Sequence, residues 1–286
     1  MDESRRTSAV KDVLSGGKFN DIIAYGGWPI DDHHPGGFNH VGVPNTNVIP
    51  DEPYGIPYRS IYSKNIDNLF FAGRNISASH VALSSTRVMA TCTTLGQAVG
   101  IAAACAVKHG NITPREAGEK YIREIQQTLL DDDCFLLDIK REIPQISALA
   151  KLEADSGNAE FLRNGIDRKY KKSENAWHCR KGSCAEYTFE KEEEISNIRI
   201  VFDSNLDRCH LNIRANYFLN TPDFAVPGSL VKAFHIEADG KTIFSNDNNY
   251  QRLVNIPLKI KAKKIKLVID GIHNADETRV FAFDVR

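Results

Sequence analysis

The sequence has almost no net charge, no cysteine pair at metal-ligand spacing, and no uninterrupted apolar run of membrane-spanning length. Its 36 lysines and arginines stand against 37 aspartates and glutamates, a formal charge of −1. A phosphate-tracking surface for nucleic acid is therefore not expected. The longest apolar run, residues 98–107, is about half of the ~20 residues that cross a bilayer, so no membrane partner is expected either. The first ten residues, MDESRRTSAV, are charged and hold no apolar h-region, which gives no sign of a secretory signal. The six cysteines, Cys92, Cys105, Cys134, Cys179, Cys184 and Cys209, are scattered. Their spacing does not suggest zinc. Cys179 and Cys184 flank Arg-Lys-Gly-Ser and could pair in an oxidising compartment, with free thiols as the default. There is no Gly-x-Ser-x-Gly elbow, and Asp31 and Asp32 are adjacent rather than set across a bond. Nor is there a Gly-x-Gly-x-x-Gly run to cradle a dinucleotide's phosphates.

What remains is ordinary globular material: 286 residues, 42% hydrophobic and 26% charged, enough for one large domain or two smaller ones. The grammar changes near residue 150. Residues 1–65 are rich in proline and in Gly-Gly pairs and read as loops, a length that is rare unless functional or completed by a larger context. Leu69–Ala72 reads as a short buried strand ended by Gly73. A helix is predicted from Ser84 or Ser85, either of which can cap it, to about Lys108. Val88, Cys92, Leu95, Val99, Ala102 and Ala106 form its apolar stripe. Gly96, Gly100 and Ala104 form a second stripe, small enough to admit another backbone. Gly110 supplies a C-terminal cap, and a further helix runs from Pro114 to about Leu130. Residues 145–155 read as a helical or irregular linker.

Beyond it lie eight short segments rich in β-branched and aromatic residues: AEYTFE, SNIRIVFD, CHLNIRA, LVKAFHIEA, KTIFS, YQRLVNI, KKIKLVID and RVFAFDV. Turn signals such as Asp239-Gly240 separate them, which predicts an antiparallel sandwich. Lys259, Lys261, Lys263, Lys264 and Lys266 alternate with apolar residues as the solvated face of a strand would.

The run PYRSIYSKNIDNLFFAGRNISASHVALSSTRVMATCTTLGQAVGIAAA, with ESRR and GGWPIDDHHPGG before it and LLDDDCFL after it, resembles the C-terminal part of the FAD-dependent oxidoreductase family. The resemblance covers about residues 3–140 and lacks the family's N-terminal glycine fingerprint. The second half resembles galactose-binding-like jelly-roll domains, through NGIDR, NAWHC and IRIVFDSNLDR. Together these imply a multidomain α+β chain. Residues 1–152 would be part of an FAD-binding α/β domain and residues 153–286 a jelly-roll-like β-sandwich.

The resemblance implies a parent enzyme that passes hydride from a small molecule to FAD, carbohydrate-related compounds being among the candidates. The alternative is a non-catalytic module that binds glycan or protein and holds no flavin by itself. On the flavin side, Gly73 would allow close backbone approach, and Arg74 and Asn75 would reach ribityl or phosphate oxygens. Ser84, Ser85, Thr86 and Arg87 would present a helix N-terminus to the ring. Bland roles as caps and salt-bridge partners remain open for these residues. His80, His33 and His34 are candidates for proton transfer, with Asp31 and Asp32 able to orient an imidazole. Solvated loop histidines are the plain alternative, and adjacent residues rarely converge on one ion, so no metal is expected there. Arg59 could clamp a carboxylate or polar substrate. Trp177 could stack on a sugar ring or anchor the sandwich core. Asp203, Asp207 and Asp223 are too isolated to argue for calcium.

Overall fold

The computed structural model describes residues 9–206 and 226–286. ESRR, CHLNIRA, Cys209, Asp207 and Asp223 therefore lie outside the described residues. The chain divides into two compact units, Met1–Ile139 and Lys140–Arg286. Residues 140–152, read from the sequence with the first unit, pack with the second.

In the first unit the N-terminal stretch is less loop-like than its prolines suggest. A short helix α1 (Val10–Leu14) is followed by strands β1 (Ile22–Gly26), β2 (Ile30–His33), β3 (Asn45–Val48) and β4 (Tyr54–Pro57). β1 pairs with β4 and β2 with β3, both antiparallel. The expected strand at Leu69–Ala72 is absent. That segment makes only an isolated bridge, Tyr62 to Phe70, and Leu69 is exposed.

The expected single helix from Ser84 is two helices, α2 (His80–Thr86) and α3 (Met89–Lys108). The cap of α2 is Ser79, whose hydroxyl accepts from the Ala82 amide, and Val88 turns extended before α3 begins. Ser84 and Ser85 lie inside α2 and cap nothing. α4 (Pro114–Asp131) starts from a reciprocal cap between Thr113 and Glu116. Lys120 adds to the pull on Glu116: the bonds from Thr113 and Lys120 hold its carboxyl at about 2. Thr113→Ala is expected to cost the helix end about 1 kcal/mol. Hydrogen exchange of the Glu116 and Ala117 amides should then quicken by roughly fivefold, and unchanged exchange would contradict the cap's role.

Of the apolar stripe read from the sequence, Leu95, Ala102 and Ala106 are buried, Val88, Cys92 and Val99 are half-buried, and Ala98 and Cys105 are buried beside them. The buried ones pack with Ile23, Ile56, Ile125 and Leu129 in one core. By length and composition this 20-residue helix is apolar enough to cross a membrane, although its longest unbroken apolar run is short. Of that apolar stretch, 33% is buried within the unit. Gly96 and Gly100 do not meet another backbone: a methyl group at either would touch nothing within 4 Å among the described residues. Close approach occurs instead at Gly118 of α4, where a Cβ would lie 2.4 Å from the Tyr58 ring. The Tyr58 hydroxyl donates to the Pro114 carbonyl at 2.6 Å.

The second unit is an antiparallel sandwich. A short helix α5 (Gln145–Leu149) leads into β5 (Lys151–Ala154), followed by β6 (Trp177–Arg180), β7 (Cys184–Phe202), β8 (Val231–Ala238), β9 (Lys241–Asn246), β10 (Leu253–Ile272) and β11 (Glu277–Val285). β7 and β10 are 19 and 20 residues long, each fusing two segments that the sequence separates. Extended at ~3.3 Å per residue they would reach about 60 Å, too long for one face of a domain this size, so each serves two layers. One layer pairs β6, β11, the end of β7 and the start of β10. The other pairs β5, the start of β7, the end of β10, β8 and β9. Register shifts between Pro257 and Ile260, and between Ala262 and Lys264, mark the crossing.

The core between the layers holds Trp177, Tyr187, Phe202, Phe234 and Phe283. Asp239 and Gly240, both at positive φ, make the two-residue turn between β8 and β9 that the sequence predicted. The β10 lysines face outward, and Lys261, Lys264 and Lys266 pair with glutamates on neighbouring strands. Cys179 and Cys184 are free thiols, and burial pushes Cys179 up to about 12.

One polar cluster lies inside this apolar unit. Arg141 grips Asp167 through Nε at 3.0 Å and Nη2 at 3.2 Å, and reaches Asp284 through Nη1 at 2.7 Å. Arg199 lies 2.8 Å from Asp167 and 3.7 Å from Asp284. All four side chains are buried. Gly165, at φ +78, packs so closely on Arg141 that a Cβ there would meet the Arg141 carbonyl, so this position admits only glycine.

Candidate functional site

In the first unit, the β2–β3 hairpin and α2 bring several sequence-selected residues together. Alternation along β2 sends Asp31 and Asp32 to opposite faces, and each finds a different histidine. Asp32 Oδ1 lies 3.1 Å from His80 Nε2, at the first residue of α2. Asp31 Oδ2 lies 3.2 Å from His33 Nε2, and its Oδ1 accepts from Asn45 Nδ2 at 2.5 Å across the hairpin. Arg87 Nη2 reaches both the Asp31 carboxylate and its carbonyl at 3.4 Å. The Asn45 bond, outweighing partial burial, and then His33 and Arg87 hold the Asp31 carboxyl below its usual range.

The His80 side chain is 78% exposed while its Nε2 rests on Asp32. A carboxylate on one ring nitrogen orients an imidazole, leaving the rest of the ring to meet a substrate. His34 does not join this pair. Its ring stacks on His40 with centroids 3.5 Å apart, and its Nδ1 accepts from the Gly36 amide.

The segment before α2 is a tight turn at Gly73–Asn75 in which Gly73 has φ +82, a conformation that favours glycine. Arg74 and Asn75 are exposed on it. Ser84, Ser85 and Thr86 are buried. The Ser84 hydroxyl donates to the Val81 carbonyl at 2.6 Å, and Ser85 donates to the Trp28 carbonyl at 2.5 Å. Tyr54 lies 2.5 Å from the Ser85 hydroxyl, and burial pushes its phenol up to about 12. These hydroxyls therefore serve the unit's own packing, as the sequence could not show while α2 and α3 read as one helix. They lie at the end of α2, and the N-terminus of α3 follows at Met89, so a helix start is near them but is not theirs.

Arg59 lies elsewhere. It pairs with Asp21 at 3.3 Å and sits over the Phe19 ring, in a cavity of about 430 Å³ that Lys18, Tyr62, Arg115 and Glu119 also line. Sequence reading missed Asn45, which needs the hairpin pairing, and Arg115, which needs the packing of α4. It also missed a set of metal-type donors, Cys105, His109 and Glu124, whose ligand atoms lie within 4.8 Å of one another. Their signal was present as a Cys-x-x-x-His step on α3.

In the second unit, Trp177 is fully buried and its indole N–H donates to the Ser156 carbonyl at 2.9 Å. It offers no ring face to a sugar. Asp203 is engaged by Arg279 at 3.0 Å. A small cavity of about 150 Å³ is lined by Arg168, Lys169, Asp203, Leu206, Arg252 and Phe281. The Arg252 and Arg279 guanidinium groups lie 5.3 and 5.4 Å from the Phe281 ring centroid.

Residues 3–129 match the family of FAD dependent oxidoreductases. No curated protein matches the chain. Similar solved structures include the family 32 carbohydrate-binding module of Streptococcus pneumoniae EndoD, at 13% identity and TM-score 0.36, over 49% of this chain and 97% of that one. The family 32 module of Clostridium perfringens NanJ, solved with galactose, is 12% identical with TM-score 0.34, over 49% and 95%. Chitosan-binding module 1 of a Paenibacillus sp. IK-5 chitosanase/glucanase is 8% identical with TM-score 0.34, over 49% and 97%.

Proposed function

We propose that the first unit forms the substrate-side wall of a flavin site in an FAD-dependent oxidoreductase, with the His80–Asp32 pair taking up a proton as substrate is oxidised. The observation that carries this reading is the exposed, carboxylate-oriented imidazole of His80, five residues after the Gly73–Asn75 turn. The family match over residues 3–129 supports it. Bound flavin would supply the hydride acceptor. The residues present suit part of such a group: the positive φ of Gly73 permits close backbone approach, and Arg74 and Asn75 offer exposed donors to its ribityl or phosphate oxygens. His80 would hold the proton on its imidazole, Asp32 would orient the ring, and Arg87 with Asn45 would fix Asp31 and the hairpin beneath it.

The sequence carries no glycine fingerprint for the pyrophosphate, so this chain alone is expected to bind FAD weakly and to purify without it. Titration of flavin fluorescence tests this. Weak binding that falls further in Arg74→Ala supports the assignment. Stoichiometric flavin on the purified chain, absorbing near ~450 nm, would overturn the expected weakness. Weak binding indifferent to Arg74→Ala would overturn the role of the turn.

For the second unit we propose an ancillary binding role, with glycan as the ligand class. The supporting observation is the small cavity over the buried Phe281, lined by Arg168, Lys169, Asp203 and Arg252. Polar side chains lining a recess suit a sugar's hydroxyls.

A further inference from the structure

We propose that Cys105, His109 and Glu124 form a site for one divalent metal ion of the zinc class. Cys105 lies in the last turn of α3 and His109 is its C-cap, four residues on and bonded through its amide to the Cys105 carbonyl, so the two sit about one turn apart. A short connection then returns the chain in α4, whose Glu124 faces the same spot. Two helices thus deliver a thiol, an imidazole and a carboxylate whose ligand atoms all lie within 4.8 Å of one another. A tetrahedral zinc ion, with bonds of roughly 2.0–2.3 Å, needs its donors somewhat closer than that limit. Zinc occupancy requires the donors to adjust, the His109–Glu124 pair, 2.8 Å apart, opening slightly to admit the ion.

The surroundings fit a ligand set rather than a chance meeting. The His109 ring is stacked on Tyr121, with centroids 3.7 Å apart and planes within 12°, which fixes the plane in which its nitrogen points. Glu124 divides its two oxygens: Oε1 takes Lys108 at 2.7 Å, and Oε2 lies 2.8 Å from His109 Nε2. A metal ion between Nε2 and Oε2 would replace the proton those atoms share, while Lys108 continues to orient the carboxylate from outside. Cys105 is buried and His109 and Glu124 are partly so, leaving an approach for the ion and a position for water as fourth ligand. Mixed sulfur, nitrogen and oxygen donors favour zinc, or cobalt as its spectroscopic substitute, over magnesium or calcium. Binding releases the thiol proton.

The site is built on α3 and α4, whereas the His80–Asp32 pair lies on α2 and β2, and the site does not depend on the flavin reading. It is tested on the full chain, stripped with chelator and titrated with Co²⁺ alone and Zn²⁺ alone. One equivalent of Co²⁺ is expected, with a near-ultraviolet thiolate charge-transfer band that Zn²⁺ abolishes. Cys105→Ser should remove the band, and His109→Gln and Glu124→Gln should each weaken affinity by at least about tenfold. Circular dichroism shows whether each variant is folded, and Cys92→Ser, a thiol about 20 Å away along the same helix, should leave binding unchanged. No band in the wild-type chain would overturn the proposal. So would an undiminished band in folded Cys105→Ser, which marks adventitious ion binding at other thiols, or full affinity in both His109→Gln and Glu124→Gln.

Discussion

Replacing Asp167 with asparagine is expected to destabilise the second unit by about 3–5 kcal/mol, the usual cost of removing one partner from a buried ion network. Asp167 is the common partner of Arg141 and Arg199, and without its charge two buried guanidinium groups would share the charge of Asp284. The two carboxylates respond to their surroundings in opposite ways. Burial pushes Asp167 up, yet the Arg141 and Arg199 groups beside it hold it below its usual value. At Asp284 burial prevails, helped by the Asp167 charge, and its pKa rises to about 6 against both arginines.

The linkage signs follow. Asp284 retains a proton in the folded unit that the unfolded chain has released, in the window between its model-compound value of 3.8 and about 6. Its contribution to stability therefore falls as pH rises through that window. Asp167 contributes above its unfolded value and loses that contribution as pH falls through its folded pKa. The chain has two tryptophans, Trp28 and Trp177, one in each unit. In a Trp28→Phe background, urea unfolding read by Trp177 fluorescence isolates the second unit. A loss below 1 kcal/mol in Asp167→Asn would sink the network's role. Asp284→Asn should flatten the pH dependence between about 4 and 6, and an unchanged slope would contradict the assignment to Asp284.

Much of this was legible in sequence where the signal is local. Thr113, Pro114 and Glu116 mark the start of α4 because capping depends on neighbours three residues apart. Asp239-Gly240 marks a hairpin because few residues tolerate its backbone. The alternation of β10 was equally plain. What escaped were the features that depend on partners far along the chain. β7 and β10 each read as two strands because a layer crossing leaves no turn residues behind. α2 and α3 read as one helix because Arg87 and Val88 are compatible with helix, and the break follows from tertiary packing. His80 was selected by its place in a loop, but its carboxylate partner is 48 residues earlier in the chain and needed the hairpin to bring it near. The buried charges were invisible for the same reason: Arg141, Asp167, Arg199 and Asp284 are spread over most of the second unit.

Trp177→Ala is expected to have an effect of similar size, and it separates two roles that the sequence left open. The indole is fully buried among Leu162, Phe202 and the other core residues. Its removal would leave a large cavity and an unfilled acceptor at Ser156, together about 3–5 kcal/mol. Trp177→Phe keeps most of the ring and should cost clearly less. If the second unit binds glycan, affinity in Trp177→Ala should be lost only with the fold, at the urea concentration where the unit unfolds, and Trp177→Phe should bind as the parent does. A Trp177→Ala variant of unchanged stability that no longer binds glycan would reverse this assignment and make the indole a sugar-stacking residue. Binding that survives in both variants but fails in folded Lys169→Ala would instead favour the cavity that Lys169 lines with Asp203 and Arg252.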